Sequence, residues 1–230
     1  NDTPLIRQEV AKKYDEDPIS AAAEYGADFR RDVEEFVSLE AWRACVVENR
    51  LELPPQPKIR YFGFVDPSGG ASDHFTAGVA HWDGPYNEPL KGKAVLDAVR
   101  AVEPPFSPEK ATKTLADFLK TYRITTVYGD AYAGEWPRER FQKNGIAYVL
   151  SEDSKSDIYS AWLPDLNSGR LELLDLKRLR VQALLLERRV GSEGHETITH
   201  PPGGKDDEVN AAAGALRRAA TLGVHTKPAK

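Results

Sequence analysis

Residues 200–216 constrain the fold more than any other part of the sequence, because they combine a glycine turn, two adjacent aspartates and a run of small residues. Helically spaced apolar residues follow and share one face: Val209, Ala213, Leu216 and Ala220. This pattern predicts a helix that opens at Asp206 and Asp207. The small residues at positions 210–214 would let that helix lie close against a sheet.

Asp206 is expected on the buried side of this helix, three residues before Val209. A buried carboxylate is costly unless it is capped, paired or metal-bound. One interpretation is an ordinary N-cap, because aspartate is favoured there and complements the helix dipole; the other is a metal ligand. Since a helix advances about 100° per residue, Asp207 is turned away, and we expect Asp206 to matter more.

The composition is that of a soluble globular chain of one or two domains, with 230 residues, 40% hydrophobic and 29% charged. No apolar run approaches the ~20 residues that span a membrane. The single cysteine excludes a disulfide framework and a cysteine zinc site and fits a reducing cytoplasm. The net charge of −5 argues against a general nucleic-acid coat. The absence of methionine leads us to expect a fragment or a processed chain.

The remaining patterns predict an α/β fold, with a mixed sheet flanked by helices. Three strands joined by short connections suggest an antiparallel meander, and later strands alternate with helices. The predicted strands are 58–65, 76–82, 93–102, 125–128, 146–150 and 196–199. The predicted helices are 30–50, 108–122, 135–144, 154–166 and 176–190. Prolines at 54–57 suggest a boundary between a helical linker (1–57) and the main domain (58–225).

Aspartates stand at three of the predicted element ends. Asp66 ends the first strand, Asp130 ends the fourth, and Asp206 and Asp207 open the last helix. Singly, Asp66 and Asp130 could be ordinary turn or loop residues. If the two strands are neighbours, the carboxylates meet at one rim and repel one another unless cations neutralise them. Oxygen ligands favour magnesium or manganese, and two such ions about 3.5–4 Å apart suit phosphodiester hydrolysis.

Four segments together resemble the C-terminal nuclease half of phage large terminase subunits: 24–32, 64–70, 127–136 and 198–211. The resemblance implies a ribonuclease-H-like fold and a metal-dependent endonuclease that cuts concatemeric double-stranded DNA during packaging, in the host cytoplasm. It also implies the metal ligands Asp66, Asp130 and one or both of Asp206 and Asp207. The expected partners are an ATPase half, a portal protein and a small terminase subunit. The sequence contains no G-x-x-x-x-G-K-[ST] loop, so we expect that ATPase half to be missing here.

Basic side chains offer further candidates for binding DNA phosphates. The candidates are Lys155, Lys177, Arg178, Arg180 and Lys205, with Arg188 and Arg189 on the same predicted late helix as Arg180. The alternative interpretation is a solvated helix face. Two other functions stay open: another ribonuclease-H-like nuclease, such as a junction resolvase or transposase core, and a catalytically silent docking module.

Overall fold

A mixed sheet of seven strands forms the centre of the chain in a computed structural model that describes residues 33–130, 136–190 and 196–225. In chain order the strands are β1 (Val33–Glu35), β2 (Val46–Val47), β3 (Tyr61–Asp66), β4 (Phe75–Asp83), β5 (Lys93–Val102), β6 (Thr126–Gly129), β7 (Ala147–Leu150), β8 (Leu171–Leu174), β9 (Glu187–Val190) and β10 (Glu196–Thr199). The large sheet has the order β2-β8-β5-β4-β3-β6-β7, and a small sheet has the order β1-β9-β10.

Six α-helices accompany these strands in the described ranges. They are α1 (Leu39–Cys45), α2 (Pro108–Thr121), α3 (Trp136–Lys143), α4 (Lys155–Asn167), α5 (Lys177–Leu184) and α6 (Asp207–Arg218), and a π-helical turn, Ala219–Gly223, continues α6. No helix in the described part of the chain combines the length and the apolar character needed to cross a membrane.

The predicted meander is confirmed, and the condition that the first and fourth predicted strands are neighbours is met. β3 pairs antiparallel with β4, and β4 pairs antiparallel with β5. β3 also pairs with β6 in parallel, with Val65 opposite Gly129. Because parallel strands end at the same edge of a sheet, the next residues, Asp66 and Asp130, lie at the same rim.

Both faces of the large sheet are covered, as expected for a sheet that includes parallel strands. Phe62 and Phe64 of β3 pack with α6 in one hydrophobic cluster. The alternate residues Tyr61 and Val65 pack with α2 and α3 in a second cluster. Since side chains alternate along a strand, Asp66 shares the face of Phe62 and Phe64, which is the face covered by α6.

Two glycines allow α6 to approach the sheet closely. A Cβ atom on Gly78 of β4 would lie 2.4 Å from the carbonyl oxygen of Ala211, and one on Gly214 would lie 2.3 Å from the ring of Phe64. Neither distance is tolerable for a real side chain. The predicted role of the small residues at the start of α6 is therefore confirmed.

Two helix predictions are wrong in part. Within the described residues, the segment predicted as helix 30–50 forms β1, α1 and β2, and its apolar residues Phe36 and Trp42 are buried in the cluster that contains α6. The helix predicted over 176–190 ends at Leu184, and Arg188 and Arg189 lie on β9, which pairs with β1 and β10. In both cases tertiary pairing outweighs the local apolar spacing.

Sequence reasoning missed a strand of the large sheet, and two of its other points stay untested. Strand β8 was not predicted, yet it joins β5 to β2 in the sheet. The boundary near residue 57 stays a prediction, and the segment 24–32 that contributed to the family resemblance lies outside the described residues.

Replacing Gly78 with alanine tests the close packing of α6. We expect the free energy of unfolding to fall by about 1–3 kcal/mol, because the added methyl group meets backbone rather than a movable side chain. Urea denaturation followed by circular dichroism measures the change. Gly69→Ala is the matched control, since nothing lies within 4 Å of a Cβ there. Equal stability of the two variants would contradict the packing argument.

Candidate metal centre

Three carboxylates meet where β3 ends and α6 begins. Asp66 is the last residue of β3, Asp206 occupies the N-cap position of α6, and Asp207 is the first residue of that helix. Each offers an oxygen atom, and these atoms all lie within 4.8 Å of one another. The structure therefore brings together three of the four aspartates that the sequence singled out.

Asp206 is only 3% exposed and has two specific partners. The Lys155 ammonium donates to both carboxylate oxygens, at 3.1 and 3.2 Å. The buried Tyr159 hydroxyl donates to one of them at 3.2 Å, and His200 Nε2 lies 3.9 Å from the other. These contacts hold the Asp206 carboxylate in one orientation at the edge of the cluster.

The N-cap interpretation of Asp206 is wrong for its side chain. Asp206 stands at the cap position but makes no capping hydrogen bond. Instead the side-chain oxygen of Gln182, from α5, accepts hydrogen bonds from the backbone N–H groups of Glu208 and Val209, at 2.8 and 3.1 Å. Because Gln182 accepts hydrogen bonds from free N–H groups at the start of the helix, the Asp206 carboxylate is not needed as a cap and can interact with the other carboxylates.

Asp207 is buried as well, and its carboxylate belongs to the cluster although its helical phase differs from that of Asp206. The greater importance of Asp206 stays a prediction. Its Oδ2 atom is buried and has no hydrogen-bond partner among the described residues. The nearest cation-forming group is His74, whose Nδ1 lies 3.8 Å from that oxygen. Burial, with the charges of Asp73 and Asp206, raises the pKa of Asp207 to about 6. A buried carboxylate oxygen without a hydrogen-bond donor is costly, and a bound cation would offset that cost.

The pKa of Asp66 is raised further than that of Asp207. Although the residue as a whole is partly exposed, burial of its carboxylate raises the pKa of Asp66 to about 8. The charges of Asp207 and Asp206 act in the same direction, while Lys155 and the Asn210 amide oppose the shift. Asn210 is fully buried on α6, and neither polar atom of its amide makes a hydrogen bond of normal geometry.

Lys155 is the main counter-charge of Asp66 and Asp206, whereas Lys205 opposes the shift of the Asp207 pKa. Burial alone would lower the pKa of Lys155, but Asp206, Asp66 and Asp130 together raise it above its ordinary value. Asp130 thus interacts electrostatically with the site, although it is outside the set of three within 4.8 Å. Two lysines among these carboxylates leave a net negative charge.

The backbone next to Asp130 is fixed by Tyr148. Its hydroxyl donates to the Asp130 carbonyl oxygen at 3.2 Å. A Cβ atom on the preceding Gly129 would lie 2.2 Å from that hydroxyl oxygen, so only glycine allows this approach. The role of the Asp130 carboxylate as a metal ligand stays a prediction.

Most of the predicted DNA-binding cations have partners within the chain. Lys155 pairs with Asp206, Arg178 donates to Glu103 and Glu208 at 2.8 and 3.3 Å, and Lys205 donates to the Ser72 carbonyl oxygen at 2.9 Å. Lys177 and Arg180 are exposed on α5. DNA contacts at these five residues stay predictions.

Four residues of the site were missed by sequence reasoning: His74, Tyr159, Gln182 and Asn210. Asn210 had a usable signal, because it follows Asp206 by four residues and Asp207 by three, which places it on the same side of a helix. The other three come from the β3–β4 connection, α4 and α5, and only the tertiary fold brings them to the cluster.

The donor set fits a hard divalent cation. It offers carboxylate oxygens without cysteine, it is largely buried, and one of its oxygens accepts no hydrogen bond from the described residues. Magnesium and manganese prefer such oxygen ligands. A metal here would offset the burial and the repulsion that raise the pKa values of Asp66 and Asp207.

Comparisons with known proteins support the fold. No protein-family model matches the sequence, and no curated protein matches it. The structure is similar to the large terminase nuclease of thermophilic phage G20c with bound magnesium, at TM-score 0.64 and 13% identity, covering 82% of this chain and 98% of that one; crystals of the G20c nuclease with bound cobalt give the same values.

A second comparison extends beyond the nuclease. The bacteriophage HK97 large terminase gives a TM-score of 0.60 at 13% identity, covering 94% of this chain and 50% of that one. This chain therefore spans half the length of that protein. The predicted ribonuclease-H-like fold is confirmed, and the resemblance to terminase nucleases is confirmed at the level of the fold.

Opposite stability effects should separate Asp206 from Asp207 in the presence of a chelator. Asp206→Asn deprives Lys155 of its closest carboxylate, and we expect a loss of about 1–3 kcal/mol, or about 2–4 °C in Tm per kcal/mol. Asp207→Asn removes a buried charge whose Oδ2 accepts no hydrogen bond among the described residues, and it relieves repulsion from Asp73 and Asp206, so Tm should rise. Thermal unfolding measures both variants. A fall of equal size in both would contradict these assignments.

Asp66 should make the metal-free protein less stable as the pH rises. The folded carboxyl keeps its proton up to about pH 8, whereas an unfolded aspartate loses its proton near pH ~4. Between these values the folded state binds more protons, so the free energy of unfolding decreases with pH. Thermal unfolding in chelator from pH 5 to 8 should therefore show a steeper decline for the parent chain than for Asp66→Asn. The control is Asp117→Asn, which removes an exposed carboxylate paired with Lys113 and should leave the dependence of Tm on pH as in the parent chain. The same dependence in Asp66→Asn would refute the raised pKa of Asp66.

Proposed function

We propose that this chain is a divalent-metal-dependent DNA endonuclease that hydrolyses phosphodiester bonds of double-stranded DNA. The observation that carries the proposal is the cluster of Asp66, Asp206 and Asp207, whose oxygens lie within 4.8 Å of one another. The terminase nuclease fold supports it, as do the cobalt and magnesium bound by the G20c nuclease.

Asp66, Asp206 and Asp207 would hold the metal, with Asp130 as a further ligand at the same rim. We propose magnesium or manganese, and two ions. Bound there, such ions would supply positive charge for the negative charge that develops on phosphoryl oxygens during hydrolysis.

The chain's own residues prepare this site. Lys155 and Tyr159 hold Asp206 in one orientation, and Gln182 satisfies the start of α6 so that the aspartate is not needed as a cap. Lys155 also places a positive charge beside three aspartates, where a phosphate group of DNA would approach. Preorganised charge of this kind stabilises a transition state without reorganisation during the reaction.

The wider role we propose is the cutting of concatemeric DNA during phage genome packaging, in the host cytoplasm. The partners would be an ATPase half, a portal protein and a small terminase subunit. The similarity to half of the HK97 large terminase supports this setting. A junction resolvase or transposase core would instead cut four-way junctions or specific ends in preference to plain duplex, and a docking module would not cut at all.

Plasmid cleavage tests the proposal. With magnesium or manganese the chain should nick and linearise supercoiled plasmid, and excess EDTA should abolish this. Asp66→Asn and Asp130→Asn should each lower the rate by about 100-fold or more, because each removes the charge of a metal ligand. Mutations of groups that only orient a metal ligand already lower metal affinity or activity by about tenfold or more.

The control for this experiment is Asp117→Asn, which removes an exposed carboxylate on α2 and should cut normally. Cleavage at the full rate in EDTA would refute metal dependence. Normal cleavage by Asp130→Asn would remove that residue from the site, and no cleavage by the parent chain with either metal would favour the docking module.

A further inference from the structure

A groove of about 820 Å³ lies at the far end of the sheet from the carboxylate cluster. We call it the basic groove and define it by its four cationic or titratable basic residues: Lys58, Arg60, Arg123 and His225. The hydroxyl groups of Thr125, Thr126 and Thr221 also line it. None of the described residues that line it is acidic, although the chain as a whole has a net charge of −5.

The elements that carry the aspartates contribute their opposite ends to this groove. Tyr61 at the start of β3 and Thr126 at the start of β6 line it, as does Thr221 in the π-helical turn after α6. Five residues of strand separate Tyr61 from Asp66, or about 17 Å at ~3.3 Å per residue. The groove is thus separate from the candidate metal centre and lies at the opposite rim of the sheet.

The cations of the groove differ from those near the carboxylates because they are not neutralised. Within the described ranges, no carboxylate lies at ion-pair distance from Lys58, Arg60 or Arg123, whereas Lys155 and Arg178 at the other rim are both paired. Three uncompensated cations around one concave surface produce a local positive potential that attracts anions.

Two of these cations are also held in position. The Arg123 guanidinium donates to the Gln56 carbonyl oxygen, and the Arg60 guanidinium lies 5.7 Å from the centroid of the Phe62 ring. Lys58 and Arg123 have φ angles of 67° and 60°, a left-handed backbone that non-glycine residues seldom adopt. Backbone strain of this kind is concentrated at binding and catalytic sites.

We propose that the basic groove binds phosphate esters, through Lys58, Arg60 and Arg123 and the neighbouring threonine hydroxyls. Guanidinium groups bind phosphate in a bidentate manner and lysine contributes a point charge. The volume is in the range of sites for small ligands such as nucleotides, roughly 300–1,000 Å³. The phosphate would come from a free nucleotide or from a nucleic-acid segment distinct from the one at the metal centre, because the two sites are at opposite rims.

The test uses the whole 230-residue chain in EDTA, so that it is independent of cleavage and of the proposed nuclease function. Isothermal titration with pyrophosphate and with ADP covers small phosphate ligands. Fluorescence anisotropy of a labelled 20-base-pair duplex, at several salt concentrations, covers nucleic acid. The variants are the double Lys58→Gln/Arg60→Gln and the single Arg123→Gln. The matched control removes two exposed lysines elsewhere, Lys110→Gln/Lys143→Gln.

We expect the double variant to bind at least one class of probe about tenfold more weakly than the control, and Arg123→Gln to be weakened as well. A loss confined to pyrophosphate or ADP identifies a small phosphate ligand. A loss for the duplex, with a salt slope reduced by about one per lost phosphate contact, identifies nucleic acid. The proposal is overturned if the parent chain binds no probe, or if the groove variants and the control bind all probes equally. It is also overturned if the variants have a lower Tm but bind every probe as the control does, because the cations would then only stabilise the negative C-terminal end of the α6 dipole.

Discussion

The close approach of α6 to the large sheet is the constraint on which the rest of the structure depends. Gly78 and Gly214 remove the side chains that would keep the helix away from β4 and β3. Only at this distance do Asp206 and Asp207, at the start of the helix, come within reach of Asp66 at the end of β3. A run of small residues is therefore as much a part of the candidate metal centre as the aspartates are.

The cluster has a cost in the metal-free protein. Burial and mutual repulsion raise the pKa values of Asp66 and Asp207, and Lys155 compensates for only part of the negative charge. Such local frustration is typical of sites whose function requires the unfavourable arrangement. The opposite rim has the reverse imbalance, because no carboxylate of the described residues pairs with its cations. This separation of charge between the two rims is compatible with the proposals of a cation site at one rim and an anion site at the other in a chain with a net charge of −5.

Sequence reasoning predicted the elements whose patterns are local. The meander and the helix that opens at the aspartate pair were predicted, and the parallel pairing that brings Asp66 and Asp130 to one rim was considered only as a condition. Sequence reasoning failed where contacts between distant segments determine the secondary structure or the partner of a side chain. The apolar spacing of residues 30–50 indicated a long helix, but the described part of this segment includes a strand that pairs with β9, and Phe36 packs in the core. Likewise, no local pattern indicates that Gln182 caps α6 or that Lys155 pairs with Asp206, because both contacts join distant segments.

The central claim, that Asp66 and its two neighbours bind a divalent cation, is tested most directly by titrating the chelator-stripped chain with manganese. Isothermal titration would compare the parent chain with Asp66→Asn and with the exposed control Asp117→Asn. The account predicts that the parent and the control bind alike and that Asp66→Asn binds at least about tenfold more weakly, since it removes a ligand charge. Equal affinity in all three chains, or no binding by the parent chain, would contradict it.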